Sequence, residues 1–362
     1  MRRPTRGQGR APAAGGAGLL RALGLTLTPP WERWASATVP LGSPVSLDLA
    51  RALTPAVFEA AWRRARTPGG AGVDGRGRAW FERDLSRHLG AIRAAVIAGR
   101  WRPAPLLHRR IPKPDGTERQ LGIPTLADRL VQSAVLEVVG PRVEALLRPW
   151  VHGYRPGHSP AGAVRQLVGQ VGLQPWLELV KVDIEGLFDH LAHPCLERMI
   201  LALSPDPLWR SLNRAWLRAW PTGPDRGVPQ GAPLSPLLAN LYLHHALDLP
   251  LERARVGLED RALSLCGQIR YADDIALAGA ARGSGVSLLT WTEGVLGRAG
   301  LRLSPTKTVA RCSAATPAPL ILLGLPVSIT AEGQGYRLRA TIAELPPGAA
   351  WPPPLPGYGW QW

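Results

Sequence analysis

Gln268-Ile-Arg-Tyr271-Ala-Asp273-Asp274-Ile-Ala-Leu-Ala278 is an apolar stretch interrupted by two adjacent carboxylates. Its pattern predicts a β-hairpin with Tyr271 to Asp274 at the turn. A third carboxylate, Asp183, stands near the end of another apolar strand, Trp176 to Ile184, 90 residues before Asp273. Neighbouring aspartates repel one another and lose hydration when folded inward, so a chain that embeds them needs cationic compensation. Divalent cations supply it, and magnesium suits a site of one or two carboxylates completed by substrate phosphates. The pattern points to phosphoryl transfer assisted by two metal ions, magnesium or alternatively manganese.

Working outward, Pro55 to Ala65 and Trp80 to Ala98 have helical spacing, the second with Phe81, Leu85, Leu89, Ile92 and Val96 on one face. Between them, Thr67 to Gly75 reads as a glycine-rich loop. Leu106 to Pro124 reads as a second hairpin turning at Pro114-Asp115-Gly116, with Arg109, Arg110, Lys113 and Arg119 on its arms. Leu126 to Leu147 returns to helical spacing. Pro194 is placed as the first residue of a helix carrying Leu196, Met199, Ile200 and Leu203, and Ser235-Pro236 as N-cap and first residue of another that runs to about His245. Gly285 to Gly300 gives one more helix, followed by the loop that holds Lys307. Order and content describe an α+β protein whose sheet presents carboxylates at one rim.

The chain has 362 residues, is 45% hydrophobic, and carries a formal charge of +16, which fits a polyanionic partner and a substantial core. Of its 43 basic residues only Lys113, Lys181 and Lys307 are lysines. Arginine is a planar fork that keeps its proton, whereas lysine is a compact charge whose pKa can shift, so these three positions stand out. Cys195, Cys266 and Cys312 form no CxxC pair, which indicates neither a zinc site nor a disulfide framework. No apolar run approaches the roughly 18 residues of a membrane span, so a cytoplasmic protein with no membrane partner is expected.

Four blocks in order resemble the palm of reverse transcriptases: Asp183-Ile-Glu-Gly-Leu-Phe188-Asp, Gly227-Val-Pro-Gln-Gly-Ala-Pro-Leu-Ser-Pro-Leu-Leu-Ala-Asn240, Tyr271-Ala-Asp-Asp274 and Leu301-Arg-Leu-Ser-Pro-Thr-Lys307. Ile111-Pro-Lys-Pro-Asp-Gly-Thr-Glu-Arg119, Ile123 to Arg129 and Gly153-Tyr-Arg-Pro-Gly157 resemble the fingers blocks of group II intron and CRISPR-associated members. The resemblance covers roughly residues 67 to 325. It implies a right-hand polymerase with N-terminal helices and fingers (51–175) and a palm (176–330), while composition alone gives a disordered basic leader (1–50) and a Pro/Trp-rich tail (331–362). Only 37 residues follow Leu325, so the thumb is expected to be short or absent.

The resemblance also assigns roles. Asp183 and Asp273 would ligate both metal ions, with Asp274 as a further carboxylate and the carbonyl of Ile184 completing one shell. Lys113 and Arg119 would grip the incoming deoxynucleoside triphosphate. Phe188 would pack under its sugar and exclude a 2′-hydroxyl. Gln230 and Gly231 would approach the templating pair, and Lys307 would protonate the leaving pyrophosphate or neutralise its charge. Leu322 to Leu325 resembles the primer grip. The implied partners are an RNA template, a DNA or RNA primer, and either CRISPR adaptation proteins or a structured RNA. The alternatives are a non-catalytic RNA-binding or splicing cofactor that keeps the palm as scaffold, and template-independent nucleotidyl transfer. His190, His193, His244 and His245 fall near these blocks, but their spacing fits helix starts and polar faces rather than metal ligation.

Overall fold

The computed structural model describes residues 47–65, 70–112, 118–255, 263–312 and 319–341. The leader up to residue 46, the turn at Pro114-Asp115-Gly116 with Lys113, and the tail from Leu345 lie outside them. The order is α1 (Leu49–Ala52), α2 (Pro55–Arg64), α3 (Arg78–Glu82), α4 (Leu85–Ile97), β1 (Leu107–Pro112), β2 (Glu118–Ile123), α5 (Leu126–Leu146), α6 (Pro160–Val171), β3 (Leu173–Gln174) and β4 (Glu178–Asp183). It continues with α7 (Leu187–His190), α8 (His193–Leu203), α9 (Pro207–Ala219), α10 (Ser235–Leu243), a π turn (His244–Asp248) and α11 (Leu249–Arg255). The remaining elements are β5 (Leu265–Tyr271), β6 (Asp274–Gly279), α12 (Ser284–Arg298), β7 (Val309–Cys312), β8 (Leu320–Leu322), β9 (Leu325–Glu332) and β10 (Gly335–Ala340).

The α+β class stands, as do both hairpins. No described helix is long and apolar enough to cross a membrane. Five expectations need correction. Leu49 already begins a helix inside the expected leader. The helix expected over Trp80 to Ala98 is two, because the Asp84 carboxylate accepts from Arg87 N–H and caps a new start there. Ser235 is the first helical residue rather than the N-cap; the preceding turn is anchored by Gln132 Oε1, which accepts from Leu234 N–H at 3.0 Å. That helix also does not stop at His245 but passes through the π turn into α11, where Leu247 and Leu251 remain buried. Finally, Gly335–Ala340 pairs with β9 and β3 where tail was expected, with Leu338 buried.

The central sheet runs β5-β6-β4-β7, all antiparallel, and its two-residue period decides what each strand shows to each side. Val180 and Val182 of β4 and Ile184 just after it, with Ile275 and Leu277 of β6, enter the larger core, together with α5, α8, α10 and Leu288 and Leu296 of α12. Leu177 and Leu179, with Ala276 and Ala278, face a second core built from Val164, Leu167 and Val171 of α6 and Leu322, Val327 and Leu338 of the β3-β10-β9-β8 sheet. Both faces of β4 are thus covered, and its one sharply polar end, Asp183, lies at the rim. Glu178 at the other end is buried and caps α12, accepting from Gly283 and Gly285 N–H at 2.9 and 2.6 Å.

Candidate active site

Asp183 and Lys181 share the face of β4 that carries Leu179, and Asp274 shares the corresponding face of β6 with Ala276 and Ala278. The register puts Asp183 directly opposite Asp274, and Lys181 opposite Ala276. Asp273 sits between the strands in a two-residue turn with Ala272, whose φ of +57° is in the left-handed region. Ile184 N–H donates to the carbonyl of Asp273 at 3.3 Å, so the turn folds back onto the end of β4. The expected carboxylates are therefore gathered at one rim by strand pairing alone.

Like charges directly opposite on neighbouring strands are unfavourable. Two of the three lysines answer them: Lys307 Nζ lies 3.5 Å from Asp183 Oδ1, and Lys181 Nζ 3.5 Å from Asp274 Oδ1. Lys307 reaches in from the loop before β7, held by Ser304 N–H donating to the Asp183 carbonyl at 2.8 Å. The compensation is incomplete. Burial, reinforced by the charge of Asp183, pushes the Asp273 carboxyl up to about 6. Burial also raises Asp183, against the pull of Lys307. At 3.5 Å the Lys181 ammonium is too loosely aimed to count as a hydrogen-bond donor, and Asp274 Oδ1 is buried with no such donor.

Carboxylate oxygens are the donor type that magnesium takes. Among the described residues, no group of three or more His, Cys, Asp or Glu side chains is arranged to hold a metal ion. An open carboxylate rim is nevertheless the arrangement expected of an ion that takes its remaining ligands from phosphates and water. Asp183, Asp273 and Asp274 are the groups that would hold it, with the backbone of Ile184 beside them.

The turn rests on a buried network that the sequence did not disclose. Arg270, 1% exposed, makes a two-pronged pair with Asp248 (Nε to Oδ1 2.9 Å, Nη2 to Oδ2 2.6 Å) and donates through Nη1 to Asn240 Oδ1 at 2.8 Å. Asn240 in turn donates to the Gly153 carbonyl at 2.9 Å. Residues 150–152 run beside β5, with Arg270 N–H donating to Trp150 and His152 N–H to Arg270. Gly153 then passes so close to the turn that a Cβ there would stand 2.1 Å from Ala272 N. An arginine directly before the motif, in an otherwise apolar strand, was the one available signal. Its partners lie 22 and 30 residues earlier, and only the fold identifies them.

Phe188 lies on α7 just beyond the rim, half-buried, its carbonyl accepting from Val228 N–H at 2.8 Å. Gln230 and Gly231 sit against the β1-β2 hairpin: Gly122 N–H donates to the Gln230 carbonyl at 2.9 Å, and a Cβ on Gly231 (φ +123°) would meet the Gly122 carbonyl at 2.8 Å. This close backbone approach requires glycine at 231. Lys113 and the side chain of Arg119 lie outside the described residues. His190 Nδ1 bonds the Gly186 carbonyl and His193 Nε2 the Gly227 carbonyl, while burial pushes His244 and His245 down to about 4; all four are structural here.

The model of the family described as reverse transcriptase (RNA-dependent DNA polymerase) matches residues 111–327. Protein YkfC of Escherichia coli (strain K12) is 31% identical over 189 residues, which cover 50% of this chain and 49% of that protein. Group II intron-encoded protein LtrA of Lactococcus lactis subsp. cremoris is 34% identical over 153 residues, 40% of this chain and 25% of that protein. The chain thus spans half or less of the length of these relatives. Among solved structures, telomerase from Candida albicans in complex with a fragment of telomeric RNA aligns with a TM-score of 0.47 and 15% identity, over 64% of this chain and 46% of that one.

Proposed function

Because the chain belongs to the reverse transcriptase (RNA-dependent DNA polymerase) family, we propose that it extends a primer 3′-end with deoxynucleotides on an RNA template. The observation that carries this reading is the rim itself: Asp183 opposite Asp274, with Asp273 in the turn that joins β5 to β6. Residues 51–175 would serve as N-terminal helices and fingers and 176–330 as palm, with β10 belonging to the palm side.

Two magnesium ions, when bound, supply Lewis-acid stabilisation of the attacking 3′-oxygen and the leaving pyrophosphate oxygen. The protein's own share is positional. Asp183 and Asp273 would hold both ions, Asp274 and the Ile184 carbonyl completing the shell. The buried Arg270 network fixes the turn before substrate arrives, so no reorganisation is needed at the reacting centre. Lys307, already beside Asp183, is placed to give a proton to the departing pyrophosphate. Lys113 and Arg119 would close over the triphosphate, Gln230 and Gly231 would border the templating pair, and Phe188 would contact the sugar. Identity with a group II intron-encoded protein favours an intron-type structured RNA over CRISPR adaptation proteins as the natural partner.

Primer extension on poly(rA)/oligo(dT) with dTTP and magnesium tests this. Incorporation is expected from the native chain and not from Asp273→Asn/Asp274→Asn. Unaltered RNA binding with no incorporation by either would favour the scaffold reading, and incorporation without template would indicate nucleotidyl transfer of the other kind.

A further inference from the structure

Tyr154 occupies a backbone conformation that tyrosine rarely adopts, with φ at +58°. Its neighbours leave it little choice. Gly153 is wedged against Ala272 and held by Asn240. Arg155 commits its guanidinium to Glu144 and to the carbonyls of Arg148 and Val151. Residues 151–155 therefore form a bracket fixed at one end to the C-terminus of α5 and at the other to the carboxylate turn. Strain of this kind persists only where surrounding contacts over-determine it, and it concentrates at functional sites.

The bracket delivers a ring to Phe188. The two centroids lie 6.1 Å apart at 67°, an edge-to-face geometry. Tyr154 belongs to neither hydrophobic core, whereas Phe188 only borders the larger one. Core packing therefore does not account for the tyrosine's placement, and both rings keep part of their surface open.

We infer that Tyr154 is a positioning residue for sugar selection: it holds the Phe188 ring in the orientation that excludes a 2′-hydroxyl, and so couples that ring rigidly to the carboxylate turn. This rests on the polymerase reading and on Phe188 as the ring under the incoming sugar. A phenylalanine standing alone has alternative rotamers. With the tyrosine ring packed against it at 67°, on a bracket whose Gly153 is wedged against Ala272, the distance between sugar and metal-binding carboxylates is set by one rigid unit.

The test is kcat/KM for dTTP and for UTP on poly(rA)/oligo(dT), measured for the native chain, Tyr154→Phe, Tyr154→Asn, Tyr154→Gly, Phe188→Ala and Phe188→Ala with Tyr154→Asn. Asparagine and glycine both accept the left-handed backbone, so they remove the ring without adding strain, and melting curves confirm folding. The dTTP/UTP ratio is expected to fall about fivefold to tenfold in Tyr154→Asn and Tyr154→Gly, the loss an aromatic pair supports. That fall should show as a rise in kcat/KM for UTP relative to dTTP. Tyr154→Phe should keep the native ratio, and the double variant should fall no further than Phe188→Ala alone. A ratio that is unchanged in Tyr154→Asn and Tyr154→Gly while it drops in Phe188→Ala overturns the inference and leaves the sugar-contact reading intact, as would strictly additive losses. An unchanged ratio in Phe188→Ala overturns the sugar-contact reading and the inference with it. A native chain that incorporates neither nucleotide overturns the polymerase reading on which both stand.

Discussion

Asp183 on β4 stands directly opposite Asp274 on β6, and each carboxylate is met by its own lysine at 3.5 Å, Lys307 and Lys181 respectively. Two of the three lysines in a chain of 43 basic residues are thereby committed to one rim. The opposed carboxylates put this rim under electrostatic tension.

Asp183→Asn relieves this tension. In the presence of EDTA the variant is expected to melt slightly higher than the native chain, by the equivalent of about 0.2–1 kcal/mol for a like-charge pair removed. It should also lose both primer extension and the stabilisation that added magnesium gives the native protein. A calorimetric scan with and without magnesium measures both effects, and a magnesium shift preserved in the variant would contradict the ligand assignment.

Lys307→Arg separates proton donation from charge. Arginine can keep the ion pair with Asp183, but it does not release a proton near neutral pH. The single-turnover incorporation rate is expected to fall about 10²-fold or more, with dTTP affinity retained. Native rates in the arginine variant would leave charge neutralisation as the role of Lys307.

Asp248→Asn breaks the buried pair beneath the turn. Arg270 is left 1% exposed with its charge only partly answered, and the expected loss is about 3–5 kcal/mol. A urea titration reads this as a lowered midpoint at unchanged slope.

Gly153→Ala pushes a methyl group to 2.1 Å from Ala272 N. Either the bracket or the turn must move, and a displacement of about 1 Å at a reacting centre can cost about 10²-fold in rate. Primer extension should collapse while RNA binding, measured by filter retention, stays near native.

Asp128, on α5 and outside the carboxylate rim, gives a separate pH signature. The residue is fully buried at the start of α5, accepting from Ala104 N–H and Thr125 Oγ1, and burial pushes its carboxyl up to about 6. The folded state therefore binds this proton more tightly than the unfolded chain does. Its contribution is complete below the ordinary carboxylate value of 3.8 and is lost as pH rises through about 6. At about 1.4 kcal/mol per unit, the loss is of order 3 kcal/mol. Urea midpoints compared at pH 4 and pH 7 should show a smaller difference in Asp128→Asn than in the native chain.

Much of this was legible in the chain. Period-two alternation around Asp183 and around Tyr271 to Asp274 gave both strands and the turn, because side-chain direction in a strand is fixed by backbone geometry. The scarcity of lysine marked Lys181 and Lys307 before their partners were known. Local patterns misplaced boundaries where side chains compete with periodicity: Asp84 started a new helix inside an apolar repeat, and the π turn carried α10 past its expected end. The strand Gly335–Ala340 was missed although it forms a local hairpin with β9, its first residue Gly335 pairing with Glu332; only its pairing with β3 joins segments distant in the chain.

The sequence by itself determined the fold class and the family and singled out the three carboxylates, since each depends on residue type and on spacing along one strand or helix. Only the tertiary structure decided which residues hold them in place. Arg270 meeting Asp248 and Asn240, Gly153 against Ala272, and Tyr154 against Phe188 are contacts between segments that no local period relates. Each is set by how closely packed elements approach, a property of the folded interior rather than of any stretch of chain.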